Sequence, residues 1–109
     1  MLEAILGSKC REQVLQFILA NESGYATQIK DFYKIGLDPV QKQLERLEFG
    51  GVLVSQKVGK TVVYSFNHRY AFLEELINLL LKAREFYKPE LKESLIMIRK
   101  RPRRQGKPL

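Results

Sequence analysis

Apolar positions in the first twenty residues recur at helical spacing rather than in alternation. Ile5, Leu6, Val14, Leu15, Phe17, Ile18 and Leu19 are interleaved with Lys9, Arg11, Glu12 and Gln13, which predicts an amphipathic helix from about Ser8, its N-cap, to Ala20. Asn21-Glu22-Ser23-Gly24 reads as a turn. A shorter helix follows over 25–33, with Ala26, Ile29 and Phe32/Tyr33 inward, and Gly36 interrupts it. Asp38-Pro39 then has the form of a helix start: Asp38 as N-cap, Pro39 at the first helical position and Gln41 where a capping box wants it. Val40, Leu44 and Leu47 fall on one face of this third helix. Lys42, Glu45 and Arg46 occupy the opposite arc, with Gln41 and Gln43 toward its edges, and Gly50-Gly51 stops it. The period then changes to two. Residues 52–58 and 61–66 read as strands joined at Gly59-Lys60, because Val62, Tyr64 and Phe66 alternate with Val63 and Ser65, and the result is a hairpin with a basic tip.

After Asn67-His68-Arg69-Tyr70 comes a Leu-rich helix over about 72–87, and Pro89 starts a last helix reaching about Ile98. The fold class is therefore mainly α with a small β-hairpin. In the Leu-rich helix, Leu73, Leu76, Ile77, Leu80, Ala83 and Tyr87 form one stripe, while Phe72, Leu79 and Phe86 recur every seven residues beside it. A helix apolar on more than one face needs covering on more than one side, and a small domain supplies only one. The second cover is expected to be another copy of the chain, through Leu2, Ile5, Leu6, Phe72, Leu76, Leu79, Leu80 and Phe86. The plainer alternative is that this helix closes the monomer core.

Composition narrows the classes. The chain has 109 residues, 45% hydrophobic and 28% charged, which fits one small globular unit with a real core. No apolar run approaches the roughly 18 residues of a membrane span, so a cytoplasmic protein is expected. The net charge is +7, but six of the 19 basic residues lie in 99–109, which holds no acid; residues 1–98 carry 13 basic against 12 acidic groups. A polyanionic partner must therefore be argued from local pattern. The segment 99–109 lacks apolar periodicity and is expected to be a disordered basic tail, either solubilising or entering a minor groove, although the Arg-Gly-Arg-Pro core of an AT-hook is missing.

Candidate chemistry is sparse. A single Cys10 excludes an internal disulfide and a thiolate cluster; its neighbours Lys9 and Arg11 would favour the thiolate, while an inert, partly buried thiol is the plainer reading. Val58-Gly59-Lys60-Thr61 ends like a phosphate-binding loop, yet the position five before Gly59 is Val54 and a strand follows. His68 with Glu74 and Glu75 forms no fixed cage, and no nucleophilic triad assembles. No catalytic, cofactor or metal residue is assigned, and an enzyme is not expected.

Helix, helix, turn, helix and hairpin is the order of a winged helix-turn-helix domain. From Ile29 to Leu53 the chain resembles ArsR-like or MarR-like bacterial regulators: Val40-Gln41-Lys42-Gln43-Leu44-Glu45-Arg46-Leu47, then Gly50-Gly51-Val52-Leu53, stands where such families carry V-S-x-H-L-x-x-L-x-x-A-G-L-V. The segment Gly59 to Asn67 is similar to their G-[RK]-x-x-x-Y-x-[LF]-N wing. Between Ile29 and Val40 there is no counterpart of the cysteines of arsenic-sensing members. The resemblance implies a winged-helix domain over 1–70, dimerising helices over 71–98 and the tail over 99–109. It implies a homodimeric, double-stranded-DNA-binding repressor with helix 38–49 in the major groove and wing 52–66 on the backbone or minor groove. Gln41, Lys42, Gln43, Arg46, Lys57, Lys60 and Thr61 would be the DNA contacts. A rival reading follows from likeness to small winged-helix proteins found beside nucleotidyltransferase genes: the same fold docks such a protein partner and the wing never meets DNA.

Overall fold

The computed structural model describes residues 1–100, with side chains through Ile98. The chain order is α1 (Glu3–Leu6), α2 (Lys9–Asn21), α3 (Ala26–Tyr33), α4 (Leu37–Phe49), β1 (Leu53–Val58), β2 (Thr61–Phe66), α5 (Leu73–Arg84) and α6 (Pro89–Lys100). This is the expected α+β class.

Helix α2 is the hub. Ser8 caps it, its side chain accepting from the Arg11 N–H at 3.0 Å, as its residue type predicts. Val14, Leu15, Phe17, Ile18 and Ala20 are all buried, so α2 is apolar on several sides and is wrapped by α4, α5, α6 and β2. One hydrophobic cluster unites Val14 and Ile18 with Ile29 of α3, Val40 and Leu44 of α4, Leu53 and Tyr64 of the hairpin, Leu80 of α5 and Leu95 of α6. The core thus runs continuously past residue 70 into α5 and α6.

The hairpin is antiparallel, with Leu53 opposite Phe66 and Val58 opposite Thr61, leaving a two-residue turn at Gly59-Lys60. Gly59 adopts φ +65°, the left-handed conformation that such tight turns require. Leu53, Tyr64 and Phe66 point to the core and hold the hairpin base. A bridge between Gly24 and Tyr64 adds a short stretch of pairing from the α2–α3 loop.

Five expectations are corrected. The short helix α1 went unpredicted, because four residues carry no readable period. Helix α4 begins two residues earlier than a capping Asp38 requires: Gly36 is the N-cap and no side chain caps the end. Pro39 still sits in the first turn, where its missing N–H costs no bond. Helix α5 stops at Arg84 rather than 87, and three successive N–H groups, of Glu85, Phe86 and Tyr87, close tighter turns on Lys82, Ala83 and Arg84. Helix α6 continues to Lys100, two residues into the segment read as tail; the rest of that reading, 101–109, lies outside the described residues. Leu2 and Leu80, assigned to a subunit interface, are inside the monomer core.

Candidate nucleic-acid interface

Helix α4 is seated by Val40 and Leu44, both fully buried, and by Leu47 one turn on. Three apolar contacts at this spacing turn the opposite side outward. That side carries Lys42, Glu45 and Arg46, all exposed. Neither Lys42 nor Arg46 has a hydrogen-bond or ion-pair partner among the described residues. Gln41 is half-buried; its amide donates to Glu45 Oε2 at 3.1 Å and lies 3.5 Å from the Tyr64 hydroxyl, rather than closing a capping box.

Gln43 departs from its expected place on the rim of the exposed arc. It is 8% exposed, and its Oε1 accepts from Arg11 Nε at 2.8 Å, so it faces α2 and is not available to a groove. The reason is angular: Gln43 lies one turn after Val40 and one turn before Leu47, on the core-facing side of the helix.

The end of α4 and the hairpin base are tied by polar contacts that spacing alone does not reveal. Gly51 adopts φ +84° with open space where a Cβ would go, so backbone conformation rather than crowding calls for glycine. The Val52 N–H donates to Leu47 O at 2.9 Å, and Asn67 donates from its side chain to Gly51 O and from its backbone to Val52 O, each at 2.9 Å. Ser55 Oγ donates to Glu48 Oε2 at 2.6 Å, clamping β1 to α4. These bonds fix how far the wing stands from the helix. Lys57, Lys60 and Thr61 are exposed on it.

The surface is mixed in sign and polarity. On α4, Asp38, Glu45 and Glu48 outnumber Lys42 and Arg46, and Phe49 at the helix end is 95% exposed. The wing adds Lys57 and Lys60 but also exposes Val54, Val58 and Val62.

A second polar region lies on the far side of α2. Glu12 is buried and accepts from the Leu2 N–H at 2.7 Å and from the Tyr87 hydroxyl, with the Met1 ammonium 3.5 Å away. Gln16 donates to Leu80 O at 2.7 Å and accepts from Arg84 Nε and Nη2 at 3.1 and 3.0 Å. These bonds pin the α5–α6 corner to α2, and a cavity of about 390 Å³ opens beside them, lined in part by Lys9, Tyr33, Tyr87 and Leu91. Burial pushes the Tyr33 hydroxyl far above the ordinary phenol range; burial, then the bond to Glu12, does the same for Tyr87. Burial also pushes the Cys10 thiol up, opposite to the lowering that Lys9 and Arg11 would give. Glu12 and Gln16 were missed as structural residues because both look like ordinary surface positions in the α2 pattern.

No family model matches this sequence, and no curated protein matches it either. Among solved structures, the chain is similar to Lactococcus lactis ZitR in a doubly substituted variant. For its apo form the TM-score is 0.50 at 14% identity, covering 84% of this chain and 78% of that one. A second ZitR structure gives a TM-score of 0.51 at 15% identity over 85% and 71%. The architecture is that of a winged helix: α3 and α4 form the helix-turn-helix, β1–β2 the wing.

Proposed function

We propose that this chain is a sequence-specific DNA-binding transcriptional regulator of the ArsR-like or MarR-like kind, acting as a cytoplasmic homodimeric repressor without catalytic activity. The observation that carries the reading is the pairing of two unpartnered cations on the outward arc of α4, Lys42 and Arg46, with a wing that is tied to the same helix through Ser55 and Glu48 and exposes Lys57 and Lys60. A helix of α4's width enters a major groove, where Arg46 and Lys42 suit guanine or phosphate and Gln41 suits adenine. Lys57, Lys60 and Thr61 would follow the backbone. Gln43 leaves this set, since its carbonyl is committed to Arg11.

Dimerisation is supported by Ile5, Phe72 and Phe86, which are 69%, 64% and 63% exposed and offer apolar surface that a second copy would cover. Leu6, Leu76 and Leu79 are partly buried and pack against the core. Selection from a random duplex pool tests the reading: the chain should enrich pseudo-palindromes with half-sites about 10 bp apart, and a Lys42→Ala/Arg46→Ala variant should enrich none. Enrichment of the same sequences by that variant would refute recognition through α4.

One observation favours a second reading, a winged-helix module that docks a protein such as a nucleotidyltransferase. The acidic majority on α4 and the fully solvated Phe49 suit a protein surface better than a phosphate ridge. Co-purification of one stoichiometric partner that Phe49→Ser abolishes, with no duplex enriched, would favour it.

A further inference from the structure

We infer that Arg11 is a positioning residue for α4, setting the pose of that helix through Gln43 and linking it to α1. The inference rests on the reading of α4 as the recognition helix, and it adds a residue that never touches the nucleic acid. The geometry is a three-way junction. The Arg11 guanidinium donates from Nε to Gln43 Oε1 on α4 at 2.8 Å and from Nη1 to Leu6 O at 2.7 Å, the carbonyl at the end of α1 that has no partner within its own helix. The Arg11 backbone is itself fixed by the Ser8 cap. Gly7, at φ +93°, turns the chain between the two helices, and a Cβ there would stand 3.5 Å from Arg11 Nη1.

Physical chemistry gives this junction a specific task. The seat of α4 is otherwise apolar, and aliphatic contacts fix depth far better than rotation about the helix axis. A buried amide bonded to a charged donor is directional, and misplacing it leaves both a buried acceptor and a half-buried guanidinium unsatisfied. Gln43 lies between Lys42 and Arg46 in sequence, so a rotation that breaks its bond swings both cations. Only two other polar side chains, Glu12 and Gln16, are as deeply buried among the described residues, and both serve the opposite side of α2. Apart from the long contact of 3.5 Å between Gln41 and the Tyr64 hydroxyl, no other buried polar side chain among the described residues orients α4.

The test uses the full chain and four variants: Arg11→Met, Gln43→Met, the double variant, and Arg11→Lys, which keeps the charge and one donor. Hydrogen exchange of the α4 amides and affinity for a selected duplex are both measured. Each Met variant should speed exchange in α4 by about tenfold relative to α5, the double variant should be no worse than the poorer single one, and Arg11→Lys should recover part of the loss. Duplex affinity should fall by about tenfold in step with exchange, although Arg11 lies behind the helix. Additive effects of the two Met substitutions, or loss of stability spread evenly over all helices, would overturn the inference. If the natural chain binds no duplex, the recognition reading fails by itself, and the exchange pattern still decides whether Arg11 orients α4.

Discussion

Helix α4 and the C-terminal pair α5–α6 are held to the same core by the same device, yet they show solvent different faces. Leu44 of α4 and Leu80 of α5 are equally sealed. Outside, α4 carries Lys42, Glu45 and Arg46 at its middle with Leu37 and Phe49 exposed at its ends, whereas the C-terminal region sets the exposed Phe72, Phe86, Ile96 and Met97 among charges such as Glu74, Glu75 and Lys82. Burial therefore says how each helix is attached and nothing of its use. The outward composition separates them by degree: the middle of α4 offers only charge, while α5–α6 interleave charge with large apolar side chains.

The comparison breaks first if its common foundation fails. Leu44→Ala and Leu80→Ala should each cost about 2–5 kcal/mol, measured by denaturant unfolding, because each leaves a cavity in one shared core. A large loss for one and none for the other would mean that the two regions are not equivalent inside. Next comes the apolar face. Phe72→Ser/Phe86→Ser should weaken self-association at least about tenfold by sedimentation while moving monomer stability by only about 0.5 kcal/mol, as expected for surface positions. Unchanged association would remove this face from the interface.

Smaller effects sharpen the contrast at the elements' ends. Gly51→Ala forces a Cβ into a left-handed conformation and should cost about 1 kcal/mol, read as a lower thermal midpoint, with no change at α5. The smallest concerns pH. Tyr33 is held neutral by burial, so its folded pKa exceeds the unfolded value near 10. Its contribution is whole below pH 10 and is lost as pH climbs beyond that value. Stability should thus decline above pH 10, and Tyr33→Phe should flatten the decline.

Much of this architecture was legible because periodicity is a one-dimensional record of burial. Val40, Leu44 and Leu47 announce their face without help, and Gly59-Lys60 between two alternating runs announces the turn. What escaped reading depends on partners distant in sequence. Spacing from Val40 and Leu47 turns Gln43 inward, but only Arg11, 32 residues earlier in the chain, shows how a polar side chain is satisfied there. Asn67 resembles a loop residue until its bonds to Gly51 and Val52 are seen. Leu80 belongs to a stripe wide enough to serve either a core or an interface, and pattern alone does not divide such a stripe. At the candidate interface, Lys42, Arg46, Lys57, Lys60 and Thr61 were readable as exposed positions, since exposure needs no partner.

The most direct measurement is the salt dependence of affinity for a selected duplex, compared between the natural chain and Lys42→Ala/Arg46→Ala. If both cations meet phosphates, the variant's log–log slope should be shallower by about 2, at roughly 0.9 per phosphate neutralised, with weaker binding at every salt concentration. Superimposable lines for the two proteins would contradict the placement of α4 against nucleic acid.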